Sequence, residues 1–409
     1  MNKKLVAVAV AGMLAAPMAA QAQTANVTLY GRLNLDMEVV NAKQDTPAQG
    51  SPKANLFFIK SNSSRLGVRG SEALGGGLSA IFQIESSVGA ANGGGLATTL
   101  GTRETFVGLQ GGWGTVKMGY FLTPYDDIHP IFGNVPTLGT SILGTQALWS
   151  NTGWSGNTQV GGAFDDRAPN SIRYDSPNIR GFTGSAQLYA AVQGGDATLS
   201  NSATPVTLGA QRRHAYGLSI NGLYNNGPFQ GGIAYEMRNN FRGDPTFSVN
   251  PKLQDQGFSA AAAWNFGVVK VGGVFERLKY DITPTTTLQR NFWGGSVTWN
   301  LGPGQLYAMF GQAQNGTGSA ADGAQVGAVR KGANTGAQQW EVSYTYALSK
   351  RTLTYAGYNQ IANRSNGAYN FGVNQVGGLC GLSASGNVAG GCGSSAKPQG
   401  LIMGLVHFF

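Results

Sequence analysis

Leu29-Tyr30-Gly31-Arg32-Leu33-Asn34-Leu35-Asp36-Met37-Glu38-Val39 alternates without a break. Leu29, Gly31, Leu33, Leu35, Met37 and Val39 share one face of an extended chain, and Tyr30, Arg32, Asn34, Asp36 and Glu38 share the other. Side chains of a strand point to opposite faces with a period of two, and a tilted strand crosses a bilayer in about 9–11 residues. A lipid-facing arginine or lysine at mid-membrane costs about 2–4 kcal/mol. Arg32 is therefore expected to face a polar lumen while Leu33 and Leu35 face lipid.

The same pattern recurs along the chain. Arg65, Gly67, Arg69 and Ser71 oppose Leu66, Val68 and Gly70; Leu78, Ala80, Phe82 and Ile84 oppose Ser79, Gln83 and Glu85; Trp340, Val342, Tyr344 and Tyr346 oppose Glu341, Ser343 and Thr345. With weaker segments near Thr105, Val116, Ile172, Tyr216, Phe258, Trp293, Tyr355 and Leu401, the count is about 16 strands, an even number that suits a closed barrel with an aqueous channel. Short links rich in Gly and Asn, such as Gly75-Gly76-Gly77 and Asn225-Asn226-Gly227, suit tight turns. They alternate with long links at Asn41–Ser64, Val88–Thr102, Leu122–Asn170, Gln193–Arg212, Asn239–Gln256, Gln312–Gln338 and Ala362–Gln399. That rhythm is expected of periplasmic turns and extracellular loops. A soluble sandwich would instead carry a Lys/Glu-rich outer surface. The fold class predicted is all-β: a transmembrane antiparallel β-barrel, with residues 23–409 as a single domain.

Composition agrees. The chain holds 63 glycines and only 11% charged residues, against about 25% charged in soluble domains. Lys3 and Lys4, the apolar run Leu5 to Pro17 and Ala20-Gln21-Ala22 read as a signal peptide, residues 1–22, cleaved after Ala22. The net charge is +9, or +7 once Lys3 and Lys4 leave with it; this basic bias is either general surface charge or a lumen that favours anions. Cys380 and Cys392 share a Gly/Ser-rich segment. In an oxidising periplasm they are expected to form a disulfide, stabilising by roughly 3 kcal/mol at most; the alternative is two free thiols. The last strand ends on Phe409.

Four stretches carry a more specific likeness: Val27-Thr28-Leu29-Tyr30-Gly31-Arg32, Ser64-Arg65-Leu66-Gly67-Val68-Arg69-Gly70-Ser71-Glu72, Phe106-Val107-Gly108-Leu109 and Asn170-Ser171-Ile172-Arg173-Tyr174-Asp175-Ser176-Pro177. They resemble the general, non-specific trimeric porins of Gram-negative bacteria, in the neisserial and β-proteobacterial branch. The resemblance runs from the signal peptide to Phe409, whose terminal position implies the assembly signal read at the outer membrane. It implies a homotrimer of 16-stranded barrels surrounded by lipid and lipopolysaccharide, passing small hydrophilic solutes and ions. It also implies that loop 3, here the insertion Leu122–Asn170, folds inward as a constriction. Pro130-Ile131-Phe132-Gly133 is similar to the tip of that loop, with Ile131 where relatives carry an acid. By motif position the basic wall is Arg32, Arg65, Arg103 and Arg173, facing Asp126, Asp127, Ile131 and Phe132 on the loop, with Asp165 and Asp166 where the loop returns. Strand parity sets Arg103 with the lipid-facing Val107 and Leu109, so it requires a bulge or a place above the lipid band. Tyr120 stands where relatives often carry arginine.

Other chemistries lack their residues. His129, His214 and His407 are far apart, no Gly-x-Ser-x-Gly elbow is present, and His129–Ser141 is the one nucleophile–base pair that can be drawn. No metal-ligand spacing, phosphate loop or basic stripe occurs, so no cofactor and no nucleic acid partner is expected. A sugar-selective channel would need an aromatic slide, for which Trp149, Trp154, Phe164 and Tyr120 are the candidates.

Overall fold

The computed structural model describes residues 26–43, 55–91, 95–96, 100–134, 139, 141–151, 163–190, 216–241, 253–371 and 395–409. The signal peptide at residues 1–22, Trp154, His214, Cys380 and Cys392 lie outside the described residues.

Alternating segments become strands in chain order. They are β1 (Asn26–Lys43), β2 (Leu56–Ser61, resuming as Arg65–Gly75), β3 (Leu78–Gly89), β4 (Thr105–Gly111), β5 (Gly114–Leu122) and β6 (Arg167–Asp175). Then come β7 (Phe182–Ala190), β8 (Tyr216–Asn226), β9 (Phe229–Asn239), β10 (Gln254–Asn265) and β11 (Val269–Thr283). The wall is completed by β12 (Thr286–Leu301), β13 (Gly304–Ala313), β14 (Ala337–Ala347), β15 (Thr352–Asn363) and β16 (Lys397–Phe408). Each strand pairs antiparallel with the next, and β16 returns to β1 in register from Arg32↔Phe408 to Lys43↔Lys397, closing a 16-strand barrel. Beyond β16, Gly31 and Phe409 exchange backbone hydrogen bonds of 3.0 and 3.2 Å. Closure leaves no open sheet edge facing lipid, where each unsatisfied backbone group would cost several kcal/mol.

Parity follows the sequence. Leu29, Leu33, Met37 and Val39 are exposed on the outer surface, whereas Asn34, Asp36 and Glu38 are buried inside. Near the short turns the outer aromatics Phe182, Tyr224, Phe229, Trp264 and Phe266 form a chain of ring contacts from 4.3 to 6.4 Å, the girdle expected at a membrane interface.

Three expected loops contain strand, one of them only Gly95–Leu96, which pairs with Val88 and Gly89 in the predicted link Val88–Thr102. Leu56–Ser61 lies within the predicted link Asn41–Ser64 and pairs with Leu35–Val40 of β1. Its alternation is hidden because both faces are apolar: Phe57 and Ile59 are exposed outside, and Leu56 and Phe58 pack against the inner core. A small hairpin, Gln325–Val326 with Val329–Arg330, occupies the predicted link Gln312–Gln338.

Loop 3, residues 123–166, carries the inner core. The helical turn α1 (His129–Phe132) and the aromatics Tyr125, Trp149 and Phe164 pack with Ala261, Val274, Leu278, Tyr280 and Phe292 of the wall. Its middle hydrogen-bonds to β14 and β15: Asn134 Nδ2 donates to Glu341 at 2.5 Å, Gln339 Nε2 to Gly144 O at 2.9 Å, and Asn359 to Ile142 O. Glycine makes room for this packing. A Cβ at Gly294 would lie 2.8 Å from the Phe132 ring, and one at Gly257 3.0 Å from Phe164. Gly294→Val is therefore expected to push α1 towards the lumen and lower single-channel conductance; unchanged conductance would mean the loop does not rest on this wall.

Candidate functional site

Loop 3 covers the β8–β16 side of the lumen and leaves a cavity of about 880 Å3 against the opposite wall. Its charged wall comes from Arg32 of β1, Arg65 and Arg69 of β2, Glu85 of β3, Arg103 and Glu104 before β4, and Arg167 at the start of β6. Asp126, His129, Asp165 and Asp166 of the loop face them, with Tyr120 on the wall between.

Glu85 is the hub of the wall. Its carboxylate accepts from Arg65 Nη1 at 3.3 Å, Arg103 Nε at 2.7 Å and Tyr30 Oη at 3.0 Å. Arg32 instead donates Nε to the Ser63 carbonyl at 3.0 Å and makes no ion pair among the described residues. The Arg69 guanidinium lies 4.9 Å from the Tyr30 ring centre, a cation–π distance. Arg103 reaches the lumen without a bulge. Regular strand begins only at Thr105, so parity does not extend back to residue 103, and its own backbone N–H is fixed to Glu85 O at 3.0 Å. The bulge is elsewhere: Gly119 pairs with Ser171 and Phe121 with Ala168, so β6 carries one extra residue opposite Tyr120, which lines the cavity. Gly119 is obligatory there, since at φ +149 a Cβ would meet Thr105 O at 2.2 Å.

On the loop side, His129 Nδ1 is 2.9 Å from Asp126 Oδ1, and its Nε2 is 2.9 Å from Ser150 Oγ. Asp126 and Asp165 are also hydrogen-bonded to each other. Burial, then the neighbouring Asp126 charge, pushes the Asp165 carboxyl well above the usual range. For Asp126 burial acts upward, but hydrogen bonds from Asp165 and His129 outweigh it and hold the group low. Asp126, His129 and Ser150 trace a nucleophile–base–acid chain, yet Ser150 has no exposed surface, so no substrate can reach it. His129 and Ser141, the pair drawn from sequence, are not hydrogen-bonded to each other; His129 takes Ser150 instead.

The remaining expected eyelet residues lie elsewhere. Arg173 does not line the cavity; its Nη2 binds Asp127 Oδ2 at 2.5 Å and its Nε binds Asp175 at 2.7 Å. Asp127 also accepts from Asn221 at 2.9 Å. Burial raises the Asp127 carboxyl against the downward pull of Arg173. This cluster sits behind the loop and ties its start to the wall, because Asp126 and Asp127 project to opposite sides of one tight turn. Ile131 and Phe132 likewise turn away from water. Ile131 meets the wall at Gly232 and Phe132 at Gly294, and the Phe132 carbonyl accepts from Ser296 and Tyr307, each at 3.0 Å. Trp149 and Phe164 have no exposed surface, which removes two of the four candidates for an aromatic slide.

Arg69, Glu85, Glu104 and Arg167 were not among the expected site residues. For Arg69 and Glu85 the signal was present, because Arg69 shares parity with Arg65 and Glu85 with Gln83. Arg167 was hidden because β6 begins earlier than the motif at Asn170 suggests, and because its register shifts between Ser171 and Ala168, so parity with Arg173 does not carry across.

A closed barrel with an apolar outer face and a charged cavity against an inward-folded loop defines an outer-membrane channel protein. The chain belongs to the Gram-negative porin family, whose sequence model matches residues 7–366, and it resides in the outer membrane. It is 28% identical to outer membrane porin protein 32 of Delftia acidovorans over 100% of both chains. It is 32% identical to the major outer membrane protein P.IA of Neisseria meningitidis serogroup C, over 58% of this chain and 60% of that protein. Among solved structures, the anion-selective porin from Comamonas acidovorans superposes with a TM-score of 0.64 at 21% identity, covering 94% of this chain and 100% of that one. The trimer form of OmpT from Vibrio cholerae gives 0.61 at 12% identity, covering 94% and 99%. At these identities the likeness bears on the fold.

Proposed function

We propose that this chain forms a homotrimeric, water-filled channel for passive diffusion of small hydrophilic solutes and ions, with a weak preference for anions. The supporting observation is the charge of the cavity. Arg32, Arg65, Arg69, Arg103 and Arg167 line its wall beside Glu85 and Glu104, and Asp126, Asp165 and Asp166 line its loop side. The arginines lie on the wall and the aspartates on the loop, so the field runs across the pore, and a wall of five arginines with two glutamates offers a passing anion its most favourable side. The solved porin described as anion-selective and the OmpT trimer form are consistent with this reading. The apolar outer band contacts lipid and lipopolysaccharide, and Phe409 serves as the assembly signal.

Single-channel current across a planar bilayer with a KCl gradient tests it. The expected result is an ohmic conductance with a reversal potential on the anion side, and heat-labile trimers on a denaturing gel. Zero conductance would sink the channel reading, and a cation-side reversal potential would overturn the preference.

A further inference from the structure

Asp126 and His129 enter the lumen where loop 3 begins, and Asp165 enters where it returns to the wall. Residues far apart in sequence thus meet at one point on the cavity surface. One carboxylate oxygen from each aspartate and one imidazole nitrogen all lie within 4.8 Å of one another. We propose that this trio binds a first-row divalent cation of the Zn2+ class at the constriction, clasping both ends of loop 3 and strengthening the channel's preference for anions.

The donor set points to that class. One imidazole with two carboxylates suits Zn2+ and its neighbours, whereas Ca2+ and Mg2+ take oxygen donors throughout. Ligands about 2.0–2.1 Å from a tetrahedral zinc stand roughly 3.4 Å apart, so the trio closes around an ion by side-chain shifts of about an ångström. The cavity supplies both the entry path and water for the remaining coordination position.

The surroundings hold the histidine as a ligand is held. Its Nε2 is fixed by Ser150 Oγ at 2.9 Å, and the Ser150 backbone N–H donates to both oxygens of Glu276 at 3.0 and 3.1 Å. The Trp149 ring packs edge-on at 4.1 Å. With Nε2 engaged, Nδ1 is the nitrogen presented to the carboxylates, and such fixing of the distal nitrogen is the usual support of a metal-bound histidine. Arg167 is the competing cation, since its charge acts on both carboxylates. A divalent ion adds a bond to His129 that a guanidinium cannot make.

The effect on current rests on the proposed channel, whereas binding of the ion does not, and the test reads both. Purified full-length protein in detergent is stripped with EDTA and titrated with ZnCl2 by calorimetry; reversal potential is then measured with and without Zn2+. The expected result is one Zn2+ per chain and an EDTA-reversible shift towards anions that survives excess Mg2+. Both signals are lost in His129→Ala and in Asp165→Asn and kept in His407→Ala, whose imidazole lies outside the lumen. No binding to the wild-type protein, binding unaffected by both variants, or displacement by Mg2+ would overturn the site. A conducting channel without Zn2+ binding would count against this site alone; Zn2+ binding without any conductance would count against the channel and leave the site standing.

Discussion

Exchanging Arg65 and Arg69 together for glutamate is expected to turn the channel cation-selective, reversing the sign of its potential in a KCl gradient. Both guanidinium groups line the cavity, and neither is needed to hold the loop. A unit charge about 8 Å from a passing ion in water is worth roughly 0.5 kcal/mol. Two reversals change four units, and screening at 0.1 M salt removes about half of the effect. Because anions and cations respond oppositely, the permeability ratio should move by roughly tenfold or more. Arg103 remains to neutralise Glu85 at 2.7 Å, so the double variant should still assemble. Arg173→Gln is the instructive contrast. Its charge is already matched by Asp127 and Asp175, and the sign of selectivity should not change. If the double variant stays anion-selective, the cavity arginines do not set the field.

Arg238→Ala is expected to be the most damaging single truncation for stability. Arg238 is buried, and its Nη2 lies 2.6 Å from Glu236 on the wall and 2.9 Å from Asp166 on the loop. Its Nη1 donates to Ala163 O at 2.5 Å and its Nε to Tyr189 Oη at 3.1 Å. Removing it takes away the cation shared by two buried carboxylates, and breaking a buried ion pair from one side costs about 3–5 kcal/mol. The temperature at which the β-sheet circular dichroism is lost should fall by several degrees. The freed loop return should also raise the frequency of transient channel closures. A melting temperature and closure rate equal to those of the wild type would show that the clamp carries neither stability nor loop position.

The barrel was legible because a membrane constrains every residue of a strand. One side must be apolar and the other can hold Arg32, Asp36 and Glu38, so period two survives in β1 and its neighbours. Leu56–Ser61 was illegible for the same physical reason in reverse, since its inner face packs against an apolar loop rather than water. The candidate site was legible only as far as strand parity reached. Arg32 and Arg65 could be placed on the wall, and Arg69 and Glu85 could have been. Asp127, Ile131 and Phe132 could not be separated from Asp126, because a folded loop has no fixed period and its side chains are sorted by packing.

The sequence by itself determined the closed barrel, its inside and outside, and its turns. These follow from local periodicity and from the cost of placing charge or bare backbone in lipid. Only the tertiary structure decided which charges meet. Arg173 pairs with Asp127 behind the loop, Arg103 reaches Glu85 from outside the strand, and Asp165 joins Asp126 and His129 across the whole length of loop 3. Those partnerships depend on how a loop without periodicity settles on a curved wall, where glycines at 257 and 294 and a buried Arg238 fix the contact.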